Sequence, residues 1–187
     1  MVVITTREKF QMKTAFIGHR RVFAKDISER LDKAIREEIE NGCMTFTVGT
    51  HGEFDRIALA ACKRLRHTYT NMKIEVVITS LNAIKKADES NVALYDDVEI
   101  VMYDIEDVYF KRKITLSNRQ MLDSCDTLIC YVDTSVDRSG AKAALLYAKK
   151  RGLKIVNLYR KEDKLFYGMT QEEKAIYLKE VFEKLEK

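Results

Sequence analysis

Two histidines in this chain each follow a glycine turn, and each turn follows an apolar run. The first is Gly18-His19-Arg20-Arg21, after Ala15-Phe16-Ile17. The second is Gly49-Thr50-His51-Gly52, after Met44–Val48, with Glu53 and Asp55 close behind. A third apolar run ends on Asp133 and leads across a polar loop to Ser139-Gly140. Glycine where a strand gives way to a helix lets the backbone approach a ligand. The helix N-terminus that follows then offers N–H groups to an anion. Arg20 adds a planar fork suited to phosphate or carboxylate. Together these features fit a phosphate-bearing ligand. The plainer alternative is that the glycines only make tight turns and the arginines only solvate the surface.

Other residues carry weaker chemistry. A metal site would need His19 and His51 to meet a third ligand, Asp55 or Asp133, and no H-E-x-x-H spacing supports one. No metal is expected. Asn118 shares a helical face with Ile114, Met121 and Cys125. It either satisfies a buried backbone group or points toward the ligand edge, with Arg119 beside it. Phe54 and Tyr131 are aromatic residues that fit a core better than a base-stacking platform. Lys111-Arg112-Lys113 reads as a solvated helix start and is a weak nucleic-acid patch without interleaved aromatics.

The elements that must position these residues alternate. Strands are expected at Lys13–Ile17, Met44–Val48, Ile74–Ile78, Glu99–Met102, Thr127–Val132 and Lys154–Leu158. Helical periodicity runs through Ile27, Leu31, Ala34, Ile35 and Ile39, with Asp26 as N-cap, Glu29 as its capping-box partner and Asn41-Gly42 as the stop. Further helices are expected from Gly52 to about His67, over Ile114–Ser124 and over Gly140–Lys150, the last stopped by Gly152. Thr170 caps a C-terminal helix reaching residue 186, apolar at Ile176, Leu178, Val181, Phe182 and Leu185. Residues 80–97 are polar, and part of them fits a helix. The strands are continuous apolar runs, which implies a mostly parallel sheet covered on both faces. The expected fold is therefore α/β, a Rossmann-like three-layer sandwich. Ligands bind such sheets beyond the carboxyl ends of the strands, where the strand order reverses.

Bulk properties agree with a single globular domain. The 187 residues are 46% hydrophobic and 33% charged, with no proline, no repeat and no linker. The net charge of +4 permits an anionic ligand and does not call for nucleic acid. No apolar run is long enough to span a bilayer, and Met1 to Lys13 lacks a small-residue cleavage site, so a cytoplasmic protein is expected. Cys43, Cys62, Cys125 and Cys130 show no CxxC pairing and read as reduced core thiols.

Three pieces in order resemble the SLOG superfamily, and within it the YpsA-like branch of bacterial and phage proteins. They are Phe16-Ile17-Gly18-His19-Arg20; Val48-Gly49-Thr50-His51-Gly52-Glu53-Phe54-Asp55; and Asn118-Arg119, leading to Cys125–Asp133 and Ser139-Gly140-Ala141. The similarity runs from about Lys13 to Tyr159. It implies a Rossmann-like fold that binds a nucleotide-derived ligand, such as a nucleoside phosphate, NAD or an ADP-ribose derivative. The superfamily includes the lonely-guy phosphoribohydrolases, the DNA-processing protein A family and ligand-sensing domains of anti-phage systems. YpsA-like proteins are tied to cell division and stress. Lonely-guy enzymes carry a PGGxGTxxE motif whose glutamate acts in catalysis. Here the stretch is Ser139-Gly140-Ala141-Lys142-Ala143-Ala144-Leu145, and no carboxylate follows the glycine.

Cleavage of an N-glycosidic bond needs a carboxylate to stabilise the sugar cation or activate water. Asp55, Glu53 and Asp133 are the candidates to replace the missing one. The departure favours a binding or sensor protein over a nucleotide N-glycosidase, with single-stranded nucleic-acid binding a third option. A homo-oligomer or a protein partner is compatible with the first.

Overall fold

The computed structural model describes residues 12–79, 95–103 and 109–165, with positions 172, 175, 176 and 179 beyond them. Most of the expected C-terminal helix and most of the 80–97 stretch lie outside the described residues.

Six strands form one parallel sheet: β1 (Lys13–Gly18), β2 (Thr45–Val48), β3 (Lys73–Ile78), β4 (Glu99–Met102), β5 (Thr127–Tyr131) and β6 (Lys154–Asn157). Their order is β4-β3-β2-β1-β5-β6, and every pairing is parallel. The chain walks outward from β1 to β4, then returns to place β5 on the other side of β1. The order reverses between β1 and β5, and that is where an open α/β sheet leaves a crevice.

Side chains alternate across a strand, so each strand feeds two cores. Phe16, Ile129 and Tyr131 face one side, with Phe46, Val48, Ile74, Val76 and Ile78. Helices α1 (Ile27–Glu40) and α2 (Glu53–Arg66) cover that side through Leu31, Ile35, Ala58, Cys62 and Leu65. Ala15, Ile17, Leu128, Cys130 and Val132 face the other. There α3 (Phe110–Asp123) and α4 (Gly140–Arg151) supply Met121, Leu122, Ala144, Leu145 and Ala148. The fold is the three-layer α/β sandwich that the continuous apolar runs imply. All four cysteines are buried and free, as core thiols.

Local signals decide where the elements stop. Gly42 and Gly152 take φ of +93° and +78° after α1 and α4, a left-handed conformation that favours glycine. Three expectations need correction. Asp26 stands at the N-cap of α1, but its side chain makes no capping bond. Its carboxylate turns to Arg30 instead, accepting from Nε at 2.9 Å, because that guanidinium is nearly enclosed and needs counter-charges. Helix α3 starts at Phe110 rather than Ile114, so the basic stretch 111–113 lies in its first turn. A short helix, α5 (Glu162–Leu165), follows β6 where no apolar period announces one.

Candidate functional site

At the switch point a cleft of about 480 Å³ opens beyond the strand ends. β1 contributes Phe16, Ile17 and Gly18 and the following loop His19 and Arg20. The β2–α2 turn contributes Gly49, His51, Gly52 and Asp55. Helix α3 contributes Ile114, Thr115 and Asn118, and the start of α4 Ser139, Gly140 and Ala141. Three sequence-distant glycine motifs therefore meet on one cleft. Asn118 is on its wall. Ile114 and Thr115, not foreseen as site residues, stand one helical turn before Asn118 on the same face.

The β1 and β2 turns clasp each other. The Glu53 N–H donates to the Arg20 carbonyl at 3.1 Å, and the Val22 N–H donates to Glu53 Oε2 at 2.9 Å. Glu53 thus holds the loop after β1 through Oε2. A Cβ on Gly18 would lie 2.4 Å from the Phe54 ring. Gly18 is glycine because Phe54 packs against it, and Phe54 in turn stacks on Tyr131 at 6.0 Å. Both aromatics are fully buried and belong to the core.

The α2 N-terminus is not the open anion site that its glycines imply. Asp55, at the third position of the helix, accepts the His51 and Gly52 N–H groups on Oδ2 at 2.9 and 3.0 Å. The internal carboxylate fills the place of an anion. Gly49 leaves room for it, since a Cβ there would come within 3.3 Å of Oδ2. Asp55 borders the cleft and is half-buried. Burial pushes its pKa up to about 6, against the lowering effect of the two N–H donors. His51 is lowered, by burial first and then by Arg20. Arg20 is exposed at the rim, and among the described residues no carboxylate forms an ion pair with it.

His19 accepts the Asp133 N–H on Nε2 at 2.8 Å. The ring proton therefore sits on Nδ1, and burial lowers the pKa more than the nearby Asp133 charge raises it. The Asp133 carboxylate points elsewhere. Oδ1 accepts Ser135 N–H and Oγ–H at 2.9 and 2.5 Å, and Oδ2 accepts the Tyr159 hydroxyl at 3.0 Å and Lys164 Nζ at 3.4 Å. Burial alone would raise this group, but the Ser135, Tyr159 and Lys164 donors win and hold it well below the usual carboxylate range. It lines a neighbouring hollow of about 460 Å³ with Tyr159, Lys161 and Lys164. The Asp133 side chain is thus a buttress beside the cleft, not a group inside it.

Two other foreseen residues also fall outside. The Arg119 guanidinium lies 5.3 Å from the Tyr147 ring centroid, over the outer face of α3 and α4. Thr50 donates to the Val77 carbonyl at 3.4 Å and lines an adjoining hollow of about 430 Å³, which shares Arg20, Gly49, His51, Gly52 and Asp55 with the cleft.

The start of α4 has the opposite character from that of α2. Ser139 is its N-cap, extended at φ −141°, and its hydroxyl accepts the Lys142 N–H at 3.0 Å. No acidic residue stands in the first turn. Nothing lies within 4 Å of a Cβ built on Gly140. Ser139, Gly140 and Ala141 of this turn line the cleft, and no carboxylate of the turn stands beside them.

Among the described residues, no three of His, Cys, Asp and Glu are gathered closely enough to hold a metal ion, and no helix is long and apolar enough to cross a membrane. No family model matches the chain, and no curated protein matches it. Among solved structures the chain is similar to S. aureus TarJ, determined as a crystal structure in complex with NADPH, at 16% identity and a TM-score of 0.41. That likeness covers 72% of this chain, which spans 44% of TarJ.

Proposed function

We propose that the cleft binds a nucleotide-derived small molecule, a nucleoside phosphate, NAD or an ADP-ribose derivative, and that the protein acts as a sensor for it. The observation that carries this is the meeting of Gly18-His19-Arg20, of Gly49, His51, Gly52 and Asp55, of Asn118 and of Ser139-Gly140 on one cleft at the switch point of a parallel sheet. The open turn at Ser139-Gly140, with Arg20 across the cleft, supplies the phosphate subsite. The same residues carry the resemblance to the SLOG superfamily and its YpsA-like branch, to which we assign the chain. On that assignment the protein is cytoplasmic and serves bacterial stress, cell division or phage conflict.

Binding is favoured over hydrolysis because the two carboxylates suited to the chemistry are engaged. Asp133 is saturated by donors outside the cleft, and Oδ2 of Asp55 is fixed by two N–H groups. Calorimetry with nucleoside mono- and diphosphates, NAD and ADP-ribose tests the proposal. At least one of them binds at millimolar concentration or better, and Arg20→Ala weakens it tenfold or more. A panel with no binder refutes it. The N-glycosidase reading keeps one supporting observation, the raised pKa of Asp55 in the cleft. Release of free base from nucleoside monophosphates or NAD, followed by chromatography, would establish it in place of the sensor.

A further inference from the structure

We propose that Asp55 sorts the two ends of the ligand: the Gly49–Gly52 end of the cleft takes a hydrogen-bond donor, the hydroxyls of a ribose, and not a phosphate. The inference rests on the nucleotide reading above and names what that reading leaves open.

A glycine turn that opens a helix normally cradles an anion with its free N–H groups. In this turn the His51 and Gly52 N–H groups already point at Asp55 Oδ2, at 2.9 and 3.0 Å. A phosphate laid against Gly49 would sit beside a carboxylate oxygen, which a Cβ at that glycine would nearly touch. Two anions in contact, away from bulk water, repel each other strongly. The neighbouring charges do not cancel this. Arg20 reaches the site from the loop after β1 but forms no ion pair with Asp55 among the described residues, and His51 is held toward its neutral form by burial.

A hydroxyl has the opposite fit. No described residue donates to Oδ1, the second oxygen of Asp55, and the residue borders the cleft. A vicinal diol can donate there without disturbing the bonds to Oδ2. The Ser139-Gly140 turn at the far side carries no such carboxylate. The two glycine turns, alike in sequence form, thus differ in the chemistry that they receive.

The test compares adenosine 5′-monophosphate with its 2′,3′-dideoxy analogue on the full chain at pH 7.5 by calorimetry. The expected result is at least tenfold weaker binding of the dideoxy compound. In Asp55→Asn the amide oxygen keeps both N–H bonds and the amide NH2 replaces Oδ1. The discrimination should then shrink to threefold or less, and inorganic phosphate should bind more tightly than to the parent. Equal binding of the two nucleotides by the parent protein overturns the inference and leaves the nucleotide reading standing. Failure of both to bind, together with the wider nucleotide panel, overturns both.

Discussion

The Asp133 N–H donates to Nε2 of His19 at 2.8 Å, so a side chain ties the ends of β1 and β5 where the strand order reverses. The bond exists only while Nε2 is unprotonated. The His19 pKa is lowered, by burial first, and the unfolded chain therefore takes up this proton before the folded one does. His51 is lowered for the same reason. Stability from these groups is present above the ordinary histidine range and is lost as pH falls through it. With the opposing Asp55 removed as Asp55→Asn, urea denaturation should show a lower midpoint at pH 5.5 than at pH 7.5. His19→Ala should flatten part of that slope and cost about 1–3 kcal/mol at pH 7.5, because the Asp133 N–H loses its acceptor. An unchanged slope would show that the bond does not carry the dependence.

Asp55 works against the histidines. Its folded pKa is raised to about 6, so the folded state holds the proton more tightly than the unfolded chain does. The sign is therefore reversed: its contribution is fully present below the ordinary aspartate range and is lost as pH rises through about 6. Asp55→Asn keeps an oxygen for the His51 and Gly52 N–H groups without the desolvated charge. At pH 7.5 it should match or exceed the parent by on the order of 1–3 kcal/mol. Asp55→Ala removes the acceptor and should fall below the parent by about 1 kcal/mol, the usual worth of a helix cap. Thermal melts of the three proteins from pH 5 to 8 separate these outcomes.

The sheet was legible because its strands are unbroken apolar runs divided by helical periods, and such runs leave few arrangements. The cleft was legible because glycine clusters fell at three strand ends that one parallel sheet must align. What escaped is which atoms those ends present. Asp55 reads as a candidate ligand-binding acid in GEFD, yet one of its oxygens serves its own helix; its place three residues after Gly52 was the available signal. Asp133 reads as a cleft residue, but its partners Tyr159 and Lys164 come from the far side of β6. Nothing in local spacing reports a contact of that range. Gly18 looked like a ligand-facing glycine, and its lack of a side chain answers to Phe54, packed beneath it.

Helix α5 is held by one buried ion cluster. Arg30 of α1 donates to both carboxylate oxygens of Asp163 at 2.9 and 2.8 Å and to the Leu158 carbonyl at 2.9 Å. The Arg30 and Asp163 side chains are 11% and 4% exposed, so water cannot replace either partner. Asp163→Ala leaves the guanidinium with the Leu158 carbonyl and, as counter-charge, the half-buried Asp26. The expected loss is about 3 kcal/mol, in the range for stripping a buried charge of its partner. Hydrogen exchange should quicken over residues 158–165, while the β1–β2 core stays protected. Unchanged exchange there would mean that α5 is held by other contacts.

The glycines give a test in which stability and binding separate. A methyl group on Gly18 meets the Phe54 ring at 2.4–2.6 Å, on the near side of the ring, where rotation gives no relief. Gly18→Ala should cost about 2–3 kcal/mol through displaced core packing and lower the melting temperature by several degrees. A methyl group on Gly140 meets nothing within 4 Å. Gly140→Ala should therefore melt within about 0.5 kcal/mol of the parent, or slightly above it, because alanine is the better helix former. Its methyl group narrows the approach to the α4 N–H groups, so nucleotide affinity should fall several-fold with the fold intact. The pair distinguishes a glycine kept for packing from one kept for access. If Gly140→Ala bound the nucleotide panel as tightly as the parent, the phosphate would not lie on that turn.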